Sequence, residues 1–427
     1  MEKIKVGVFP AGTEIGLEIC NALSKQKNIE LIGLVSEHDH AEAVYKKTAM
    51  IPFFHESDFV DRLNELISRE KIEFIYPAHD DVLLFLTRRM NEIHAEIVTS
   101  PLATIEITRS KRATYRYLED EKITPYIYDG VEEIKEFPVF IKPDIGQGSK
   151  GAKKIESREQ LEWELQKKED LIICEYLPGD ESTVDCFTGL DGKISSVIIR
   201  SRERIRNGIA VKSRIVKCDD EIRSIAETLN KKFIFNGAWF FQLKKDINDN
   251  YKLLEIAARI PGTAGLSRNL GINYEMLTLY NCMKMRTQVS LNSYDISVDR
   301  ALISRYKTNI NYKYVYVDWD DTIIIDDKVN TELIRFLYQC SNDGKCIYLL
   351  TKHNGNMEEE LEHYKICIGL FDEIIHLKEG EFKSSVIKEK EAIFIDDSFA
   401  ERQDVCRNNN IPVFGVENVE ALLNWWL

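Results

Sequence analysis

A lysine at the end of an apolar strand, followed by three closely spaced glycines, is a pattern that can hold a polyphosphate. Residues 139–141 form the apolar run, Lys142 follows, and Pro143 closes it before Gly146, Gly148 and Gly151, with Ser149 among them. Glycine lets backbone N–H groups approach phosphate oxygens at positive φ, and the lysine adds a point charge. The same composition also suits a mobile hairpin with no ligand, so the loop alone leaves both readings open. A second set is Gln242 and Glu255, each in the middle of an apolar strand pattern. A buried carboxylate is costly unless it is paired or bound to a cation. If the two strands form a hairpin, the two side chains face one side and can offer oxygens to magnesium. Alternatively, Glu255 pairs with an arginine of the cluster Arg200, Arg202, Arg204 and Arg206. A third set is Asp318-Trp319-Asp320-Asp321-Thr322, directly after the apolar residues 314–317. Asp318 and Asp320 are expected to share a crevice and to repel each other without a cation. A capping role for one aspartate does not account for Thr351, Lys383 and Asp396-Asp397-Ser398, which also stand at strand ends or a helix start.

The elements that must carry these residues are legible from periodicity. Residues 3–9 read as a buried strand, 10–16 as a glycine turn, the next stretch as a helix through Ile19 and Leu23, and 30–35 as a second strand, the order of a parallel α/β unit. The turn lacks the full glycine spacing of a dinucleotide fingerprint, so it reads as tight packing of helix on sheet. A helix at 58–69 and a strand at 74–76 lead to His79-Asp80-Asp81, where the aspartates either line a crevice or Asp80 caps a helix from Val82. Further strands are expected at 171–176, 182–188, 195–201 and 209–216, and helices at 157–167, with Ser157 as cap, and 222–233. A polar linker, 307–311, precedes strands at 314–317, 346–350 and 392–395.

Composition narrows the classes of partner. The 427 residues carry a formal charge of -14, with 44% hydrophobic and 30% charged residues. That balance argues against sequence-independent binding to nucleic acid or an anionic membrane, and points to small molecules. No apolar run is long enough to span a bilayer, and a cytoplasmic location is expected. Nine cysteines without a CxxC pair read as mostly buried free thiols, Cys174 and Cys346 among them. Eight histidines lack HxxxH or HExxH spacing, so carboxylates are the expected metal ligands.

In their order along the chain, Lys111, Lys142, the glycine loop, Glu175, Glu181, Gln242 and Glu255 resemble the ATP-grasp superfamily, in the branch similar to the carbamoyl phosphate synthetase large subunit and related amino-acid ligases. The resemblance covers about residues 1–300. It implies a parallel α/β domain at 1–105 and a two-lobed ATP-grasp domain at 106–305. It further implies that Lys111 and Lys142 bind phosphates beneath the Gly146, Gly148, Ser149 and Gly151 loop. Glu175, Tyr176 and Leu177 would hold adenine and Glu181 the ribose. Gln242 and Glu255 would bind Mg2+, with Mn2+ as an alternative, and Arg259 would steady the transferred phosphoryl group. Where the family carries an asparagine ligand two residues after the glutamate, this chain has Ala257, which removes one oxygen from the metal and keeps a nucleotide-sensing role open.

Residues 312–427 resemble the haloacid dehalogenase superfamily, a Rossmann-like fold, here without a large cap because the spacings leave no room for one. That resemblance implies an aspartyl phosphate on Asp318, acid and base work by Asp320, and phosphoryl contacts from Thr351 and Lys383. Magnesium would sit among Asp318, Asp396 and Asp397, with Asp320 counted in the same metal set. The whole chain is thus expected to be an α/β and α+β multidomain protein. Its expected activity is bifunctional, an ADP-forming ligase for a small carboxylate and an amine or similar nucleophile, fused to a phosphatase for a phosphorylated metabolite. Kinase-like transfer is the alternative for the first activity, and a homodimer is compatible with either.

Overall fold

The computed structural model describes residues 3–146, 148, 150–167, 170–206, 208–378 and 380–424. Ser149 of the glycine loop lies outside the described residues. The chain divides into two compact units, Met1–Leu302 and Ile303–Leu427. Among the described residues no helix is long and apolar enough to cross a membrane.

The first unit opens on a parallel sheet in which Ile4–Phe9 is central, flanked by Ile29–Val35 on one side and Phe74–Pro77 on the other, with Thr48–Met50 and Glu96–Ile97 outermost. Val6, Val8 and Phe9 are buried, as a strand covered on both faces requires. Gly16 belongs to the turn for the expected packing reason. A Cβ there would lie 2.5 Å from the Ala11 carbonyl oxygen, so helix Glu14–Leu23 can approach the strand only with glycine. Two antiparallel sheets follow. One carries Ile127–Tyr128, Leu171–Glu175, Val139–Pro143 and Lys153–Ile155 in spatial order. The other has seven strands and is built around Glu181–Thr188, with Ile194–Ser201 and Gly237–Lys245 as its neighbours and Tyr251–Ala257 beyond. Helix Asp220–Lys232 buries Ile222, Ile225, Ala226 and Leu229, an i, i+3, i+4, i+7 stripe, against that sheet with Trp239 and Phe241.

The second unit is another parallel sheet, ordered Glu373–His376, Cys346–Thr351, Tyr314–Val317, Ala392–Ile395, Val413–Phe414. Helices Thr331–Asn342, Met357–His363 and Phe399–Asn409 connect its strands. The segment between Tyr314–Val317 and Cys346–Thr351 holds only a small hairpin, Ile324–Ile325 with Lys328–Val329, and one helix. No cap domain is inserted there.

Some local expectations are corrected. Helix Asp80–Arg88 starts at Asp80, and its cap is His79, whose ring accepts from the Asp81 N–H at 3.2 Å. Lys383 begins a single 3-10 turn, Lys383–Ser385, instead of an α-helix. Cys174 is buried, but Cys346 is only partly buried and Cys367 and Cys406 are exposed.

Candidate functional site

Two clefts open on one face of the seven-stranded sheet. That face carries a cross-strand row in which Arg200 faces Thr183, Thr183 faces Gln242, and Gln242 faces Glu255. Directly opposed residues point to the same side, so the pairing foreseen for Gln242 and Glu255 is realised. The larger cleft, about 740 Å³, is walled by this row and by Thr13, Glu14, His79, Asp80, Arg109, Ala257 and Arg259 among others. The smaller, about 230 Å³, is walled by Phe140, Lys142, Cys174, Glu175, Tyr176, Leu177 and Glu181 among others. Lys111, Gly146, Gly148, Lys150, Arg202, Gly208, Gln242 and Glu255 line both.

Local chemistry holds these groups in place. Ser110 caps helix Lys111–Tyr117 and also donates to both oxygens of Asp144, at 2.9 and 2.8 Å, while the Arg112 N–H donates to Asp144 at 2.7 Å. The helix start is thereby tied to the entry of the glycine loop. Lys111 is mostly buried, which pushes its ammonium pKa down. Lys142 donates to the Tyr115 hydroxyl at 2.6 Å, and Tyr115 donates to the Leu254 carbonyl at 2.6 Å, a chain linking the two antiparallel sheets. Glu175 accepts from the Tyr126 N–H at 2.9 Å. Gly151 has φ 78 but does not line either cleft.

The arginines are not where the residue reading allowed them to be. Arg200 makes a two-pronged ion pair with the fully buried Asp185, at 2.7 and 3.0 Å, and Arg202 lies 2.7 Å from Glu181. Among the described residues no ion pair holds Glu255, so its carboxylate is left facing the clefts. Arg259 is gripped by Asp80 at 2.6 and 2.8 Å, and its remaining nitrogen donates to the Ile260 carbonyl. Burial alone would raise the Asp80 pKa, but the Arg259 guanidinium outweighs it and brings the carboxyl to about 2. Asp81 is taken by Arg109 at 2.6 Å. Ala257 lines the larger cleft and offers no side-chain oxygen.

In the second unit, Asp318 and Asp396 follow the adjacent strands Tyr314–Val317 and Ala392–Ile395, where the strand order reverses and parallel sheets keep their ligands. Lys383 donates to Asp318 at 2.5 Å and to Asp396 at 2.6 Å. Oxygens of Asp318, Asp396 and Asp397 lie within 4.8 Å of one another. Burial, with Asp396 adding to it and Lys383 opposing, raises the Asp318 pKa to about 7, and burial also raises that of Asp396. Three carboxylates converging at one point form an oxygen-donor set that an oxygen-liganded divalent cation fits, and such a cation would take the place of the proton that the crowding favours. Arg402 fixes the Asp396-Asp397 turn by donating to both carbonyls at 2.6 Å.

Asp320 does not join this group. The chain leaves the strand at Asp318, Asp321 turns through φ 53, and the half-exposed Asp320 meets the His353 ring at 2.8 and 3.1 Å. Thr351 is fully buried, and its hydroxyl accepts from the His353 N–H at 3.0 Å. His353 was not among the expected site residues, and Thr322 stood in the run from Asp318 without a role of its own. Thr322 accepts from the Asp397 N–H at 3.0 Å and lies 3.4 Å from oxygens of both Asp318 and Asp397. Its place four residues after Asp318 was the available signal. His353, two residues past a strand end, carried none.

Residues 167–301 match a family model described as ATP-grasp in the biosynthetic pathway with Ter operon. D-alanine–D-alanine ligase of Fusobacterium nucleatum is 38% identical over 84 residues, which are 19% of this chain and 29% of that protein. The chain thus matches under a third of the length of that relative. The biotin carboxylase domain of 2-oxoglutarate carboxylase from Hydrogenobacter thermophilus, solved with MgADP, ADP and bicarbonate, superposes with a TM-score of 0.55 at 16% identity, over 68% of this chain and 72% of that one. L-amino acid ligase from Bacillus licheniformis gives 0.55 at 16%, over 67% and 76%. About two thirds of the chain shares the fold of these solved structures, and residues 167–301 within it match the ATP-grasp model.

Proposed function

We propose that the first unit is an ATP-dependent ligase that activates a small carboxylate as an acyl phosphate and passes it to an amine or related nucleophile, releasing ADP and phosphate. The observation that carries this is the meeting of the two clefts along one wall. A nucleotide in the smaller cleft would aim its γ-phosphate at Lys111, Gln242 and Glu255, and an acid in the larger cleft would approach the same residues from the other side. Holding both reactants in line lowers the barrier mainly through positioning and charge. Lys142 and Lys111 would draw the phosphates in, Leu177 and the Tyr176 ring would flank the base, and Glu175 and Glu181 would meet its polar edge and the ribose. Magnesium bound by Gln242 and Glu255 would neutralise phosphate charge. The relatives named as amino-acid ligases favour this class of reaction. Ala257 in the cleft wall favours a second reading, nucleotide sensing with little turnover.

For the second unit we propose a phosphatase. Asp318 would attack the phosphorus of a phosphorylated metabolite, with Lys383 and Thr351 supporting the phosphoryl oxygens and Asp320, steadied by His353, handling the proton on the leaving oxygen. Asp318, Asp396 and Asp397 would hold magnesium, which lets a carboxylate approach a phosphate dianion. Incubating a metabolite pool with ATP and magnesium and identifying products by mass spectrometry tests the ligase. ADP and phosphate should form only when acid and nucleophile are both supplied. A phosphorylated product would indicate a kinase instead, and ATP binding without turnover would indicate a sensor.

A further inference from the structure

We propose that Arg202 is a further catalytic residue of the first site, the guanidinium that faces the phosphoryl group during transfer; this rests on the ligase reading. The resemblance gave that task to Arg259. Yet Arg259 lines only the larger cleft, and Asp80 and the Ile260 carbonyl occupy all three of its nitrogens. Arg202 lines both clefts, and its side chain is only 7% exposed.

Its surroundings aim it at the junction. Nη2 donates to the Gly208 carbonyl at 3.0 Å. Nε lies 2.7 Å from Glu181, but its N–H is not aligned for a directed bond, so the contact is an ionic one that leaves a buried donor unmatched. Among the described residues Nη1 makes no bond. A planar fork with donors to spare, set where the two clefts meet, suits the spread charge of a phosphoryl group in flight. The other cations there are poorer candidates. Lys111 is turned to the Asp144 carbonyl at 3.3 Å, and Lys150 is exposed. In the step itself a substrate carboxylate oxygen bonds to the γ-phosphorus while the bond from that phosphorus to the β,γ-bridging oxygen breaks. ADP leaves with the electron pair, and no proton moves.

The test needs no knowledge of the acid. Binding of the non-hydrolysable ATP analogue AMP-PNP and of ADP, each with magnesium, is measured by calorimetry on the wild-type chain, Arg202→Met and Arg202→Lys. Losing a charged contact made only to the γ-phosphate should weaken AMP-PNP by roughly 10- to 100-fold and ADP by less than about threefold. Arg202→Lys, which keeps the charge without the fork, should fall between and serves if the Met variant folds poorly. Equal weakening of both nucleotides, or no change in either, overturns the proposal. If the wild-type chain binds neither nucleotide, the ligase reading falls and takes the proposal with it. If the discrimination appears but no supply of acid and nucleophile yields ADP, ligation is wrong while the γ-phosphate contact stands.

Discussion

Arg200 and Asp185 bury a complete ion pair in the wall of the larger cleft, with side chains 3% and 0% exposed. Removing one partner strands the other charge, so Arg200→Met should cost about 3–5 kcal/mol of stability, measurable by urea unfolding. Replacing both partners with apolar residues should recover much of that loss, because the uncompensated charge goes with them. At this scale the residue types were legible and the pairings were not. Periodicity placed Arg200 and Glu255 on strands and Arg202 just past a strand end, but which acid met which arginine depended on Asp185 and Glu181 one strand away, and on Asp80 far back in the chain. Asp320 shows the same limit. Its spacing from Asp318 suggested a shared crevice, but the backbone turn at Asp321 carries it to His353 instead.

Two elements carry predictions of their own. The turn at Gly208 touches the glycine loop so closely that a Cβ would lie 2.1 Å from the Gly148 carbonyl carbon, and its φ is +77. Gly208→Ala should therefore cost about 1–2 kcal/mol through its backbone alone and also displace the loop, weakening MgATP binding by roughly 10-fold. Gly192, with φ +73 and open space around it, is the control. Its alanine variant should lose similar stability and keep its nucleotide affinity, and equal affinity losses would contradict the loop contact. Helix Tyr274–Cys282 carries the fully buried Glu275, whose two oxygens lack hydrogen-bond partners, as does the nearby Tyr76 hydroxyl. Burial foremost, with Glu18 adding and Arg268 opposing, pushes its pKa from 4.5 to about 8. Between those values the folded protein holds a proton that the unfolded chain releases, so this residue's contribution to stability is lost as pH rises through the window. Glu275→Gln should flatten that slope and be more stable than wild type above pH 8 by on the order of a few kcal/mol, read from thermal melts across pH. Strand and helix positions were largely readable from periodicity. Glu275 was not, because a lone acid at a helix start looks like an ordinary first-turn residue until the packing around it is seen.

Both units contain a parallel sheet in which the first strand lies between the second and the fourth, and in both the polar groups gather where that order reverses. Thr13, His79 and Asp80 do so in the first unit, and Asp318 and Asp396 in the second. The two sites were legible from the glycine loop with its ordered polar residues and from the strand-end carboxylates, whereas the strand order that gathers them was not. Nor was the pairing of the antiparallel strands, since register is set by contacts distant in sequence, and it is register that puts Arg200, Thr183, Gln242 and Glu255 in one row. If this chain runs two independent chemistries, Asp318→Asn should separate them. Magnesium-dependent hydrolysis of p-nitrophenyl phosphate and ADP formation are measured on the same preparation of that variant and of wild type. Hydrolysis should disappear while ADP formation is unchanged; loss of both together, or of neither, rules out two separate sites.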